Sequence, residues 1–412
     1  MSLFALTDDE ALDLAGRATL PCFAYRLGIA RSRFDDLRLA LPPRAVLAYA
    51  VKANPGRPLI AALAERGASF DCASIGELEL VRAELERFEG DIGTRGPDGA
   101  PRVLFAGPGK SEEELRLALE MGARIEADGW EDLERIEAVL RGAAGGDRPL
   151  AVSLRVHPAS GVSEGNAIIG GSGPSAFGVD EEDLSALVDR AKSLKLVRIT
   201  GLQVFAASNE RSAERLLANH RAAFAIGKRL QEETGVRLDL VDLGGGLGIP
   251  YAEGEAELDA AALGAGIGRL LEENPWFEGK VVLEPGRWIA GPCGVYLARV
   301  VRTKRSRGVD FAILEGGINH LLRPLLTGQA FPARAPIAAA DEARARRSRE
   351  EPLVEITFAG PLCTSLDRLG AAILPPLRAG DLVEFGQAGA YGATEAMVDF
   401  LSHPEAAEYW ME

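Results

Sequence analysis

The sequence predicts an α/β protein, a (β/α)8 TIM-like barrel followed by a β-rich C-terminal domain. Eight short apolar or β-branched runs begin near Leu47, Ser69, Val103, Arg124, Leu150, Ile199, Leu238 and Val281, each followed by a helix-like stretch or a long loop. After about residue 290 the pattern changes to strand-like runs, CGVYLARVVRTK, VDFAILEG, LVEITFAG and DLVEFGQAGAY, with few helical stretches between them. A chain of 412 residues, 47% of them hydrophobic, also exceeds the usual size of one domain. The barrel is assigned to 25–290, and the β-rich domain to 1–24 with 291–412, because PCFAYRL reads as a strand ahead of the barrel.

Between the barrel strands the amphipathic stretches read as helices. In 111–121, Ser111 and Glu114 stand in capping-box spacing ahead of Leu115, Leu117 and Leu119, and the helix after Asn209 is the longest. Ser74 and Glu77 fit a second capping box. Three segments read as loops by composition: 88–102, 159–176 and 332–351. The middle one follows the fifth barrel strand and is either a lid over the strand C-termini or a solvated connection.

The formal net charge of −15 disfavours nucleic acid and anionic membrane surfaces as partners, which leaves a small molecule as the expected ligand. Cys22, Cys72, Cys293 and Cys363 are widely spaced, and no secretory leader or apolar span of membrane length is evident, a pattern that fits a reducing cytoplasm. His157, His220, His320 and His403 show no ligand spacing and no C-x-x-C pair accompanies them, so no metal site is expected.

The chemistry is carried by three strand ends. AYAVKANP places Lys52 at the C-terminal end of the first strand, where barrel enzymes keep their catalytic groups. The seventh strand, LDLVDL, runs into Gly244, Gly245 and Gly246, whose amides can converge on an anion. The eighth, VVLEPGR, delivers Glu284 and Arg287, and barrels commonly bind phosphate after strands seven and eight. A lysine able to form a Schiff base, a phosphate cradle and a carboxylate beside a pyridine nitrogen are what pyridoxal 5'-phosphate requires.

In their order along almost the whole chain, AYAVKANP, FDCASIGEL, FAGPGKS, LRVHP, FGVD, VDLGGGLGIPY, LEPGR, AGPLCTSLD and GAYG resemble the fold-type III pyridoxal-phosphate decarboxylases, the group that contains ornithine and diaminopimelate decarboxylases. The resemblance implies an alanine racemase/ornithine decarboxylase-like fold, Lys52 as the Schiff-base lysine and Glu284 facing the pyridine nitrogen. It implies a phosphate held by Ser208, Gly244 to Gly246, Gly286, Arg287 and Tyr391, with Asp71 and Arg155 near the lysine and cofactor. It further implies a head-to-tail homodimer in which Cys363 and Asp367 complete the other subunit's site, Cys363 as proton donor at Cα. Asp71 and Arg155 can alternatively pair with each other structurally, and Cys363 can be an ordinary buried cysteine.

Two departures bear on substrate. Phe205 replaces a histidine that the best-known members place over the cofactor ring, which preserves stacking and removes a titratable group. Thr364 replaces an acidic residue that pairs with a distal substrate ammonium, so basic amino acids are disfavoured. AGPLCTSLDRLG, NAIIGGSGPSAFGVD and GAYG with FLSHPEAAEYW are similar to a subgroup tied to biosynthetic clusters, which includes decarboxylases of glutamyl groups on carrier proteins and exosortase-linked decarboxylases. Arg323 matches a substrate-binding arginine of the diaminopimelate enzymes, although the tyrosine expected four residues later is Thr327. Arg344, Arg346, Arg347 and Arg349 form either an acyl carrier docking site or a solvated loop. The expected activity is α-decarboxylation of an acidic or carrier-tethered amino-acyl substrate. The alternatives are a diaminopimelate-type decarboxylase, an amino-acid racemase on the same barrel, and a noncatalytic carrier of the cofactor.

Overall fold

The computed structural model describes every residue except 1, 90–98, 143–148, 160–172 and 206, and within helices leaves out the side chains of 89, 343, 345 and 347. The chain divides into two compact units, residues 31–248 with 257–286, and residues 1–30 with 249–256 and 287–412. Segment 249–256, expected within the barrel, thus clusters with the second unit.

The first unit is built on eight parallel strands: β1 (Ala45–Ala50), β2 (Ser69–Cys72), β3 (Val103–Phe105), β4 (Arg124–Ala127), β5 (Leu150–His157), β6 (Val197–Val204), β7 (Leu240–Asp242) and β8 (Lys280–Leu283). Each pairs with its sequence neighbour, and β8 pairs with β1, which closes the barrel. Parallel strands covered on both faces read as continuous apolar runs, as AVLAYA does in β1, and this is why they were legible without alternation. Val46, Ala48, Leu104, Leu240 and Val282 form a buried cluster that ties β1, β3, β7 and β8 together.

The helices between the strands start on side-chain caps. Ser111 and Glu114 complete both halves of a capping box ahead of Glu112–Glu120. Helix Ala213–Thr234 begins at Ser212, whose side chain accepts from the Arg215 amide, and ends at Gly235 with a left-handed φ of 72°. Ser74 Oγ accepts from the Glu77 amide, while the Glu77 carboxylate reaches the Ala73 amide, one residue earlier than a regular box.

In the second unit β9 (Gly294–Ser306) pairs with β10 (Val309–Leu314), which continues through β11 (Val354–Ala359) to β12 (Arg368–Leu374). On its other edge β9 pairs with β13 (Leu382–Phe385). The N-terminal strand Cys22–Arg26 runs antiparallel to β9 and parallel to β14 (Ala407–Met411), with Tyr25 stacked on Trp410 at 4.2 Å.

Two expectations need correction or fall outside view. The stretch 332–351, read as a loop, holds a short strand Ala333–Arg334 on β13 and a helix Glu342–Glu350. That helix has no apolar face to betray it, and it forms from strong helix formers behind Asp341, which accepts from the Arg344 amide. Segments 88–102 and 159–176 lie largely outside the described residues, so the lid expectation lies there too. Among the described residues no helix is long and apolar enough to cross a membrane.

Leu240 is buried in the shared cluster at 3% exposure. Leu240→Ala should lower barrel stability by about 2–5 kcal/mol, read as a shift in denaturant midpoint at constant slope.

Candidate active site

The candidate residues gather at the C-terminal strand ends of the barrel. Lys52 sits on a single 3-10 turn, Val51–Ala53, directly after β1. Tyr49 Oη donates to the Asn54 carbonyl and the Asn54 amide donates to Val51, so the turn is held at both ends. Gly286 faces this turn from the end of β8; a Cβ there would lie 2.9 Å from the Ala53 Cβ and 3.2 Å from that of Ala50. The Lys52 amine stands 3.6 Å from Asp71 Oδ2, inside β2, and its side chain stays 41% exposed.

Glu284 follows β8 directly and is buried. Its Oε1 accepts from Gln203 Nε2 at 3.1 Å. Burial, reinforced by the Asp71 carboxylate, pushes Glu284 up to about 7, against the opposing pull of Lys52, Gln203 and Arg155. Arg155, on β5, lays its guanidinium over the Phe177 ring at 4.5 Å. The pairing found for Asp71 is therefore with Lys52, not the Asp71–Arg155 pair held open from the sequence.

The glycine loop after β7 packs where side chains would collide. Cβ atoms would come within 2.9 Å of the Phe205 ring at Gly244, 2.6 Å of the Glu284 carbonyl at Gly245, and 2.5 Å of the Ala207 carbonyl at Gly246. The Gly244 amide donates to Asp242 Oδ1 at 2.8 Å, so it is not available to an anion as expected. Among the described residues, the amides of Gly245 and Gly246 donate to no protein acceptor. Phe205 lies between the two features, its ring 6.0 Å from the Lys52 amine and against the Gly244 backbone. Half-buried Ser208 lies in the adjoining turn, joined to the loop through the Glu210 amide, which donates to the Gly246 carbonyl.

In the β-rich unit Tyr391 is flanked by two buried arginines, with the Arg287 guanidinium 4.9 Å and the Arg323 guanidinium 4.5 Å from its ring centre. Arg287 also donates to Tyr251 Oη at 2.7 Å. Arg323, read from sequence as a possible holder of a substrate carboxylate, donates through Nη1 to the Glu395 carboxylate at 2.5 Å. Asp367, expected to reach a neighbouring site, is buried and accepts from the Ile318 amide at 2.8 Å and the Leu362 amide at 2.7 Å. It pins the loop that presents Cys363, which is exposed rather than buried. Half-buried Thr364 follows on the same loop.

Sequence reasoning missed Gln203 and the inward carboxylates Glu126 and Asp242. An acidic residue between Ile125 and Ala127 in the short strand RIEA was the available signal for Glu126.

The residues fit pyridoxal phosphate. An amine at one strand end, a buried carboxylate at the next, two uncommitted loop amides and an unpartnered Asp71 Oδ1 are the donors and acceptors such a molecule needs. The family model described as the pyridoxal-dependent decarboxylase pyridoxal binding domain matches residues 27–291. The chain belongs to the pyridoxal-dependent decarboxylase family. It is 28% identical over 408 residues to the L-glutamyl-(BtrI acyl-carrier protein) decarboxylase of Niallia circulans, covering 98% of this chain and 91% of that protein. It is 32% identical over 348 residues to the diaminopimelate decarboxylase of Pseudomonas aeruginosa, covering 84% and 77%. The crystal structure of Helicobacter pylori diaminopimelate decarboxylase complexed with L-lysine superposes with a TM-score of 0.82 at 24% identity, covering 97% and 94% of the chains, a likeness of fold.

As a pyridoxal-dependent decarboxylase of amino-acid type, the protein is an enzyme, which sets aside the racemase and the noncatalytic carrier. Lys52→Ala should abolish turnover and the visible absorbance of lysine-bound cofactor; a normal rate would reject the lysine assignment. The resemblance sets Glu284 at the pyridine nitrogen; with burial pushing it up to about 7, its proton would oppose a pyridinium at lower pH, so on that assignment cofactor affinity should rise through neutrality in the wild type. Glu284→Gln should flatten that rise when cofactor binding is titrated by fluorescence across pH.

Proposed function

We propose that this decarboxylase acts on an acidic or carrier-tethered amino-acyl substrate rather than on a basic amino acid. The observation that carries the reading is Thr364: a neutral hydroxyl offers no charge-assisted contact to a distal ammonium. The named activity of the Niallia circulans relative on a carrier-bound glutamyl group supports it. Arg323 adds nothing to the case while Glu395 occupies its guanidinium.

In this reading Lys52 binds the cofactor covalently, Glu284 holds a proton at the pyridine nitrogen, and Asp71 and Arg155 orient the polar groups around them. The phosphate falls to Gly245, Gly246, Ser208 and Gly286, and by resemblance to Arg287 and Tyr391; Gly244 serves by shaping the loop. Phe205 supplies an apolar stacking face. Bound pyridoxal phosphate supplies the electron sink for the charge left at Cα when carbon dioxide departs. Cys363 delivers a proton to Cα in a homodimer with shared sites, a role that its exposure in its own subunit supports. Asp367 acts by holding that loop. The helix Glu342–Glu350 offers Arg346 and Arg349 to an acidic carrier protein, while Arg344 is already paired with Asp381 at 3.1 Å.

The Pseudomonas aeruginosa relative favours a diaminopimelate-type activity as the second reading. Carbon dioxide release from free acidic amino acids, carrier-linked glutamate, lysine, ornithine and diaminopimelate separates the two. Release from the acidic or carrier-linked members alone supports the proposal, and preference for diaminopimelate or a basic amino acid overturns it. Thr364→Glu should raise kcat/KM for a basic amino acid about tenfold, equivalent to about 1.4 kcal/mol.

A further inference from the structure

Three carboxyl groups meet inside the barrel. Glu126 on β4, Asp242 at the end of β7 and Glu284 after β8 each place an oxygen within 4.8 Å of the others, and all three are buried. Three neighbouring carboxylates cannot all ionise in a site shielded from water without cations among them. The nearby cations are already engaged. Lys52 pairs with Asp71, and Lys110 bonds Asp128 at 3.1 Å and Asp132 at 2.9 Å. Arg155 lies over Phe177, and its charge offsets the burial of Glu126 and Glu284 only in part.

The three are not equivalent. Asp242 accepts from the Gly244 amide and Glu284 from the Gln203 amide, bonds that favour an ionised oxygen. Among the described residues neither oxygen of Glu126 has a donor, and Asp242 Oδ2 has none either. A protonated Glu126 would supply the missing donor to its neighbours.

We propose that Glu126 is a positioning residue that stays a neutral acid and donates its proton to the Asp242–Glu284 pair, so that Glu284 can remain ionised toward the pyridine nitrogen. The groups facing Glu126 are Asp242, Glu284, Asp71, Arg155 and Lys110, and burial followed by the Glu284 charge drives it well above the ordinary carboxylate range; burial drives Asp242 up as well, but Asp242 keeps the Gly244 amide as a donor and Glu126 has none among the described residues. The consequence for the cofactor rests on the assignment of Glu284 above; the location of the proton does not.

The test compares Glu126→Gln, a neutral isostere that keeps a donor, with Glu126→Leu, which removes it. In infrared difference spectra of the holoenzyme at neutral pH, a protonated-carboxyl stretch should be present in the wild type and lost in Glu126→Gln. Persistence of the band in that variant would put the proton on Asp242 or Glu284 and overturn the proposal. The unfolded chain releases the Glu126 proton above about pH 4.3, whereas the folded chain keeps it, so wild-type stability is lost as pH rises toward the folded value. The ratio of the wild-type unfolding constant to that of Glu126→Gln should therefore climb up to about tenfold per pH unit between about pH 5 and 7. A flat ratio rejects the neutral acid. Glu126→Gln should keep cofactor affinity within about twofold and Glu126→Leu should lose about tenfold, in line with one buried donor removed; equal loss in both would make the role one of shape alone. A stoichiometric metal ion in the purified protein would also overturn it, since a cation would then replace the proton. None of these readouts uses a substrate, so a failed substrate assignment leaves them standing.

Discussion

Strand β8 is hydrogen-bonded to β1 on one edge and β7 on the other, and the barrel's chemistry depends on that double pairing. Val281–Leu283 lie in register with Ala45–Leu47, and Lys280–Val282 with Leu240–Asp242. Because all three strands run the same way, their C-terminal ends share one rim. Glu284 follows one strand, Gly244 follows the second, and Lys52 follows the first after a single turn. The Glu284 amide donates to the Gly244 carbonyl at 2.9 Å, which carries the ladder one step beyond the strands and fixes the carboxylate beside the glycine loop. Residues from the two ends of the barrel sequence are thereby brought to one rim.

That rim is rich in acid and short of free base. Asp71, Glu126, Asp242 and Glu284 are buried there, with Lys52 and Arg155 as the cations acting on Glu284. Burial away from water, reinforced by the Asp71 charge, is what pushes Glu284 up to about 7. A ligand that brings a protonated ring nitrogen supplies the charge the rim lacks, whereas a purely anionic ligand could use the glycine amides and gain nothing from the carboxylates. The same electrostatics that disfavour a lone charge at this rim favour a ring that is cationic on one side and phosphorylated on the other.

Much of this was legible in the residues. Parallel strands buried on both faces announce themselves as apolar runs, and all eight barrel strands begin within a few residues of the positions read from sequence. Lys52, the glycines and Glu284 were legible because strand ends in a closed barrel leave few alternatives. What was not legible follows from physics that a motif does not encode. The sequence of helix Glu342–Glu350, EARARRSRE, holds no apolar residue larger than alanine, so periodicity is silent and only intrinsic propensity favours it. The commitment of the Gly244 amide depends on the rotamer of Asp242, and the partners of Glu126 depend on closure of the barrel.

Motif position and side-chain partner part company at the residues read from sequence as substrate contacts. Arg323 and Asp367 were assigned by their places in a motif, yet each is a buried charge, and a buried charge needs a partner before any ligand arrives. Arg323 has Glu395, and Asp367 has two backbone amides. A motif preserves the residue type whether its charge faces a substrate or holds a loop, because both uses forbid replacement by an apolar side chain. Cys363 and Thr364 differ: the loop leaves one exposed and the other half-buried, with no ionic partner at either. A change of side chain at Thr364 therefore alters what the loop offers outward, whereas Arg323 and Asp367 already use their charge inside the fold.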